Sequence, residues 1–240
     1  SLLGFSKTQN NSLYCQVSRG KSHLATMSAL TQIMVTLGRF AQDMLLFTTS
    51  EFNFFTITDA LCTGSSIMPQ KKNVDVMEIL RARVHSVISL EQSVSSIIAG
   101  LPSGYNADYG ETKAPFMKAV KTASSSLALV SLMLDSLTPN VEVLAKACTP
   151  ELFATHAAYE LVKKGMPFRH AYKKIGLNLD KLAHYDPVEI LKTSNHLGGP
   201  GSLGLEKIIK AISKEKHWWS KKELNFQKSM NTLKGGEIYE

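Results

Sequence analysis

Three long segments carry large apolar residues at alternating steps of three and four, and this repeat most constrains the fold. The segments cover residues 24–44, 76–97 and 116–137. Such spacing is typical of long helices that pack nearly parallel. Each helix is expected to extend for about 25 residues, or ~35–40 Å, well above the usual length of a globular helix. The pattern therefore predicts an all-α fold built as an elongated bundle.

Short helices with clear punctuation follow the third long repeat. Thr149, directly before a proline, predicts a helix N-cap, and Gly165 is expected to end that helix. Asp186 predicts another helix start, with Glu189 placed to reach back as in a capping box. A Gly-rich break at residues 198–201 separates this region from a final basic helix.

These changes divide the chain into two predicted domains. Residues 1–138 are expected to form a long-helix bundle domain, and residues 139–240 a small C-terminal helical domain. Three long helices alone leave apolar stripes uncovered, so we expect further helices from other subunits or from preceding sequence. The chain begins at Ser1 without a methionine, which makes preceding sequence our expectation.

Composition favours a globular protein with a hydrophobic core and reduced cysteines. Hydrophobic residues make up 44% of the chain, enough for a substantial core. Three widely spaced cysteines, Cys15, Cys62 and Cys148, form no zinc or redox motif, which favours a reduced, cytoplasmic protein. Apolar runs are too short for a membrane span and no signal segment opens the chain, so we predict no membrane association.

Basic residues exceed acidic residues by 27 to 20, a net charge of +7. Much of the excess lies in the last predicted helix, and a basic helical binding module is therefore an alternative. Because Glu206, Glu215 and Glu223 lie among its lysines, we favour a solvated helical face and predict no nucleic-acid partner.

The segment at residues 63–73 lies between two long repeats and is rich in small polar residues. An ordinary interhelix connection is one interpretation. However, the segment is long for a bundle, offers several hydroxyls and backbone N–H groups, and has two lysines within six residues of its serines. This combination favours a loop that binds an anionic substrate.

Residues 64–73, Gly-Ser-Ser-Ile-Met-Pro-Gln-Lys-Lys-Asn, match the signature loop of the fumarase and aspartase superfamily at every fixed position. The Gln-Lys-Lys-Asn variant, the segment at 100–106 followed by Asp108 and Lys113, and the segment at 149–169 resemble the argininosuccinate lyase family. The resemblance spans nearly the whole chain and covers the latter half of the family's usual length.

The resemblance implies a lyase that splits argininosuccinate into arginine and fumarate by β-elimination, in arginine biosynthesis. It also implies a homotetramer whose active sites draw on several subunits. Because the chemistry needs only acid, base and anion stabilisation, neither a metal nor an organic cofactor is implied.

The family's site residues carry over to six positions of this sequence. The resemblance assigns proton removal to Ser65, with Lys71 stabilising the alkoxide and the aci-carboxylate that forms. The remaining four positions are substrate-binding, the last two toward the arginine end: Ser66, Asn73, Tyr105 and Lys113.

The sequence departs from the family pattern in places. Gly110 stands where the family usually has glutamine, and residues 17–21 lack the family's acidic residues. The histidine that donates a proton in the family matches no position here. We therefore expect the chain alone not to turn over substrate.

Two further functional alternatives remain. Another fumarate-releasing lyase, such as adenylosuccinate lyase, would keep the loop at 63–73. A non-catalytic relative, like the lens crystallins that derive from this lyase, would keep the fold and lose the chemistry; the intact Ser65, Lys71 and Asn73 argue against it.

Overall fold

Helices form most of the regular structure in this computed structural model, which describes residue 5, residues 7–182 and residues 185–235. In chain order the helices are α1 (Ser12–Val17), α2 (Lys21–Phe47), α3 (Asp75–Ile98), α4 (Lys113–Ser136), α5 (Val141–Ala147), α6 (Ala154–Lys163), α7 (Phe168–Gly176), α8 (Pro187–Thr193) and α9 (Leu205–Leu233). Four short 3₁₀ turns lie at Asp59–Leu61, Ala107–Thr112, Pro150–Phe153 and Leu179–Lys181. The predicted all-α class is confirmed.

The three long predicted helices are α2, α3 and α4, of 27, 24 and 24 residues. Their apolar stripes meet in one core, because residues three and four apart lie on one helix face. The fully buried core side chains include Met27, Met34, Met77, Leu80 and Met133. Helix α3 ends at Ile98, just before Gly100, and α4 ends at Ser136, just before Pro139.

A two-stranded ribbon, which the sequence pattern did not predict, lies at one end of the three long helices. Strand β1 (Phe55–Ile57) pairs antiparallel with β2 (Leu137–Pro139), with Thr56 opposite Thr138. Strands are recognised in a sequence by alternating apolar and polar residues. Three residues are too few to show this alternation. The ribbon ties the α2–α3 connection to the C-terminal end of α4.

Helices α2 and α3 approach closely where Gly38 faces Val84. A Cβ atom at Gly38 would lie 2.8 Å from Val84 Cγ2. Valine in a helix is stiff at χ1, so it cannot swing away. Glycine in this helix is therefore a packing requirement.

We expect Gly38→Ala to lower the free energy of unfolding by about 1–3 kcal/mol, because it overpacks this contact. In a Val84→Ala background the same change is expected to be neutral or to stabilise by up to ~1 kcal/mol, the helix propensity gain of alanine over glycine. Urea unfolding of the four chains measures both effects. Equal destabilisation in both backgrounds would contradict the packing account.

The described residues divide into two compact units, one of which is Gln9–Leu144 and the other the rest of the described chain. The boundary between residues 138 and 139 stays a prediction, because strand β2 crosses it. Within the described residues, every helix is too short or too polar to cross a lipid bilayer.

The predicted punctuation of the shorter helices is observed in part. Thr149 precedes the 3₁₀ turn Pro150–Phe153 rather than α6 itself, and its side chain makes no capping hydrogen bond. Gly165 has φ +93° two residues after α6 ends, and the Asp186 carboxylate accepts the Val188 N–H at the start of α8. Glu189 differs from the capping-box expectation, since its carboxylate accepts a hydrogen bond from Lys192 at 3.1 Å.

Candidate active site

The loop at residues 63–73 is closed at its neck by backbone pairing. The Thr63 N–H donates to the Asn73 carbonyl at 2.9 Å, and the Asn73 N–H donates to the Thr63 carbonyl at 2.8 Å. Helix α3 begins two residues later. The loop is therefore held at the N-terminal end of a long helix.

Two side-chain pairs anchor the same neck. The Thr63 hydroxyl donates to the Asp75 carboxylate, and the Lys72 ammonium donates to the Asp59 carboxylate. The hydrogen bond to Asp59, and then its charge, raise the pKa of Lys72, so this lysine stays an ammonium paired to the scaffold. Burial raises the pKa of the neighbouring Cys62 thiol, which disfavours a thiolate.

Ser65 is half-buried inside the loop, and its side-chain oxygen accepts hydrogen bonds from two backbone N–H groups. The Met68 N–H donates to Ser65 Oγ at 3.1 Å, and the Ile67 N–H lies at 3.3 Å. Such donors stabilise negative charge on oxygen more than they stabilise a neutral hydroxyl. The loop thus provides the environment that a serine alkoxide requires.

The other three predicted site residues of the loop lie at least partly exposed to solvent. Ser66 and Lys71 are exposed, and Asn73 is half-buried. The Lys71 ammonium has no hydrogen-bond or ion-pair partner among the described residues. Of the two adjacent lysines, Lys72 is therefore engaged by the scaffold, while Lys71 is free to meet a ligand. We call Ser65, Ser66, Lys71 and Asn73 the loop cluster.

Tyr105 and Lys113 lie at the opposite end of the bundle, beyond the C-terminus of α3. The Tyr105 ring is 72% exposed, and the Arg19 guanidinium lies 5.0 Å above it. Lys113 is exposed at the start of α4. Sequence reasoning did not single out Arg19, because its stacking on Tyr105 joins residues far apart in the chain. We call Arg19, Tyr105 and Lys113 the tyrosine cluster.

Gly20 explains how Arg19 reaches this position. Its φ of +76° turns the chain between α1 and α2, and a Cβ atom there would lie 2.6 Å from Ile98 Cγ2. Only glycine fits both the left-handed backbone and the close approach.

A buried hydrogen bond fixes the start of α4 next to Lys113. The Thr112 hydroxyl donates to the Tyr109 carbonyl at 2.8 Å, and its oxygen lies 3.0 Å from His23 Nδ1. The His23 ring also stacks on Phe116 at 4.4 Å. Gly110 borders open space, with no atom within 4 Å of a Cβ built there.

One chain does not bring the two clusters together. They lie at opposite ends of α3, whose 24 residues span about 35 Å. A small-molecule ligand cannot bridge that distance. The described residues also contain no group of three or more histidine, cysteine or acidic side chains arranged to hold a metal ion.

Comparison with known proteins identifies the family. A family model described as lyase matches residues 2–89. The argininosuccinate lyase of Sorangium cellulosum is 39% identical over 212 residues, which cover 88% of this chain and 49% of that protein. The chain belongs to the argininosuccinate lyase family. The Thermotoga neapolitana argininosuccinate lyase is also 39% identical, over 72% of this chain and 44% of its own length.

The chain spans about half the length of these curated relatives of the argininosuccinate lyase family. A solved structure of EDDS lyase in complex with formate superposes with a TM-score of 0.81 at 17% identity, covering 98% of this chain and 55% of that one. This likeness concerns the fold. It agrees with the long-helix bundle and the small helical unit described above.

Proposed function

We propose that the chain supplies the base and part of the substrate pocket of an argininosuccinate lyase, which releases arginine and fumarate by β-elimination in arginine biosynthesis. The observation that carries the proposal is the Ser65 oxygen held by the Ile67 and Met68 N–H groups beside an unpaired Lys71. The identity to curated argininosuccinate lyases supports the choice of substrate.

In this proposal Ser65 removes the proton from the succinyl carbon next to a carboxylate. A free serine is far too weak a base, and the two N–H donors offset part of that cost by stabilising the alkoxide. The electron pair left on carbon moves into the carboxylate, giving a doubly charged aci-carboxylate. Cleavage of the carbon–nitrogen bond then yields fumarate and the departing guanidino group of arginine.

Lys71 stabilises the charge that develops during this step. Its ammonium is exposed and unpaired, so it can approach the carboxylate without breaking an existing ion pair. Ser66 and Asn73 bind the fumarate portion, with Asn73 held in place by the paired neck of the loop. The resemblance assigns proton donation to the leaving nitrogen to a histidine that matches no position of this sequence.

Tyr105 and Lys113 serve the arginine end of a site whose loop cluster comes from another copy of the chain. The separation of about 35 Å along α3 supports this arrangement, because one copy alone cannot place both clusters on one substrate. We propose a homotetramer, as is implied for the family. Gly110, whose carbonyl accepts the Lys113 N–H, borders open space next to the tyrosine cluster.

The outer faces of the long helices support assembly with further helices. Large apolar side chains remain half-exposed on α3 and α4, which is unfavourable for a bundle that stands alone. They are Ile79, Met117, Leu127, Leu132 and Leu134. A cytoplasmic location is part of the proposal, and the three cysteines, all unpaired, are consistent with it.

A hybrid enzyme tests the proposal. The chain is joined to the part of the Thermotoga neapolitana lyase that it does not match, and fumarate release is followed by ultraviolet absorbance. We expect release from argininosuccinate and none from adenylosuccinate, while the 240-residue chain alone is inactive. A hybrid that unfolds cooperatively yet is silent with argininosuccinate would contradict the proposal. Release of fumarate from adenylosuccinate but not from argininosuccinate would favour an adenylosuccinate lyase.

A further inference from the structure

Helix α9 carries one large apolar residue at every seventh position along its whole length. These residues, here called the seam, are Leu205, Ile212, Trp219, Phe226 and Leu233. A strict seven-residue period is the spacing of helices that supercoil around a partner helix. Lysines recur with the same period two positions later, on the opposite side, at Lys207, Lys214, Lys221 and Lys228. The helix therefore has one apolar edge and one basic edge.

The seam is left uncovered by the described residues. No residue of α9, which the structure describes along its whole length, is buried, and each seam side chain is 47% to 63% exposed. Helix α9 has 29 residues and extends for about 43 Å. Most helix stability in proteins comes from packing an amphipathic face, so a helix of this design requires a partner surface.

The charges beside the seam favour a second copy of the same helix as the partner. Glu215 and Lys222 flank Trp219 on one side of the seam, and Lys216 and Glu223 flank it on the other. When two copies meet face to face, a carboxylate meets an ammonium in either chain direction. Glu215 faces the partner's Lys216 in a parallel pair and the partner's Lys222 in an antiparallel pair. The face is thus complementary to itself, as a two-fold interface requires.

We propose that α9 is a docking surface for α9 of a second copy of this chain, packed along the seam. A lipid surface fits less well, because Glu215 and Glu223 would face an anionic membrane beside Trp219. The pairing of α9 does not depend on the lyase reaction. It adds a contact between copies that lies outside the long-helix bundle.

The chain contains only two tryptophans, both in α9, which makes the test direct. In the 240-residue chain we expect Trp219 to be shielded from acrylamide quenching. We also expect lysine cross-links that join α9 of a ¹⁴N copy to α9 of a ¹⁵N copy after the two are mixed and refolded. Phe226→Lys, in the seam, is expected to reduce these mixed cross-links at least tenfold and to expose Trp219.

Leu224→Lys is the matched control, since Leu224 is equally exposed in the same helix but lies off the seam. It is expected to leave both readouts unchanged. Absence of mixed α9 cross-links in the unmodified chain, equal loss in both variants, or shielding of Trp219 only with anionic vesicles would each overturn the proposal. Circular dichroism confirms that both variants remain helical.

Discussion

Ser65→Ala is expected to lower kcat for fumarate release by the hybrid enzyme about 10²–10⁴-fold, the usual contribution of a positioned general base. KM is expected to change little, because the Ser65 oxygen is held by the Ile67 and Met68 N–H groups and acts on the reacting carbon. Steady-state kinetics with argininosuccinate measure both parameters.

The adjacent Ser66→Ala is the matched control. Ser66 is exposed and is proposed to bind the fumarate portion, so its loss is expected to raise KM more than it lowers kcat. If Ser65→Ala retains full kcat in a hybrid of unchanged thermal stability, Ser65 is not the base. The loop would then have only a binding role.

Two inactive variants are expected to restore activity when they are combined. Ser65→Ala disables the loop cluster and Lys113→Met disables the tyrosine cluster, which lie about 35 Å apart in one copy. If each site takes the clusters from different copies, random mixing leaves about a quarter of the sites intact. Co-expression of the two hybrids, followed by the fumarate assay, measures the recovery.

A second mixture controls for this result. Ser65→Ala and Lys71→Met both lie in one loop, so every site that receives the loop from either copy stays defective. That mixture is expected to remain inactive. Recovery in both mixtures, or in neither, would refute a site assembled from different copies.

The local parts of this fold could be predicted from sequence, whereas its long-range contacts could not. Helices α2, α3 and α4 cover the three apolar repeats, since period and length both indicate helix there. The loop at residues 63–73 lies where its composition indicates. The pairing of β1 with β2, by contrast, joins two three-residue segments on either side of two long helices.

In the candidate site, too, the local features could be predicted from the sequence and the long-range contacts could not. Ser65 and Lys71 could be predicted because the signature loop is contiguous. The different states of Lys71 and Lys72 could not, because they depend on where the Asp59 carboxylate lies. Arg19 was missed because its contact with Tyr105 crosses the turn at Gly20. The distance between Ser65 and Tyr105 is a property of helix length and direction that motifs do not report.

The ribbon between β1 and β2 also bears on the order in which the chain folds. Thr56 pairs with Thr138, so the segment leading into the signature loop is fixed only after two intervening helices have formed and docked. Contacts of such large sequence separation form late, because the loop-closure entropy must be overcome first. The ribbon is therefore expected to form after α2, α3 and α4 have completed their hydrophobic core. Hydrogen-exchange labelling of a refolding chain would detect α2 and α3 protected well before strands β1 and β2.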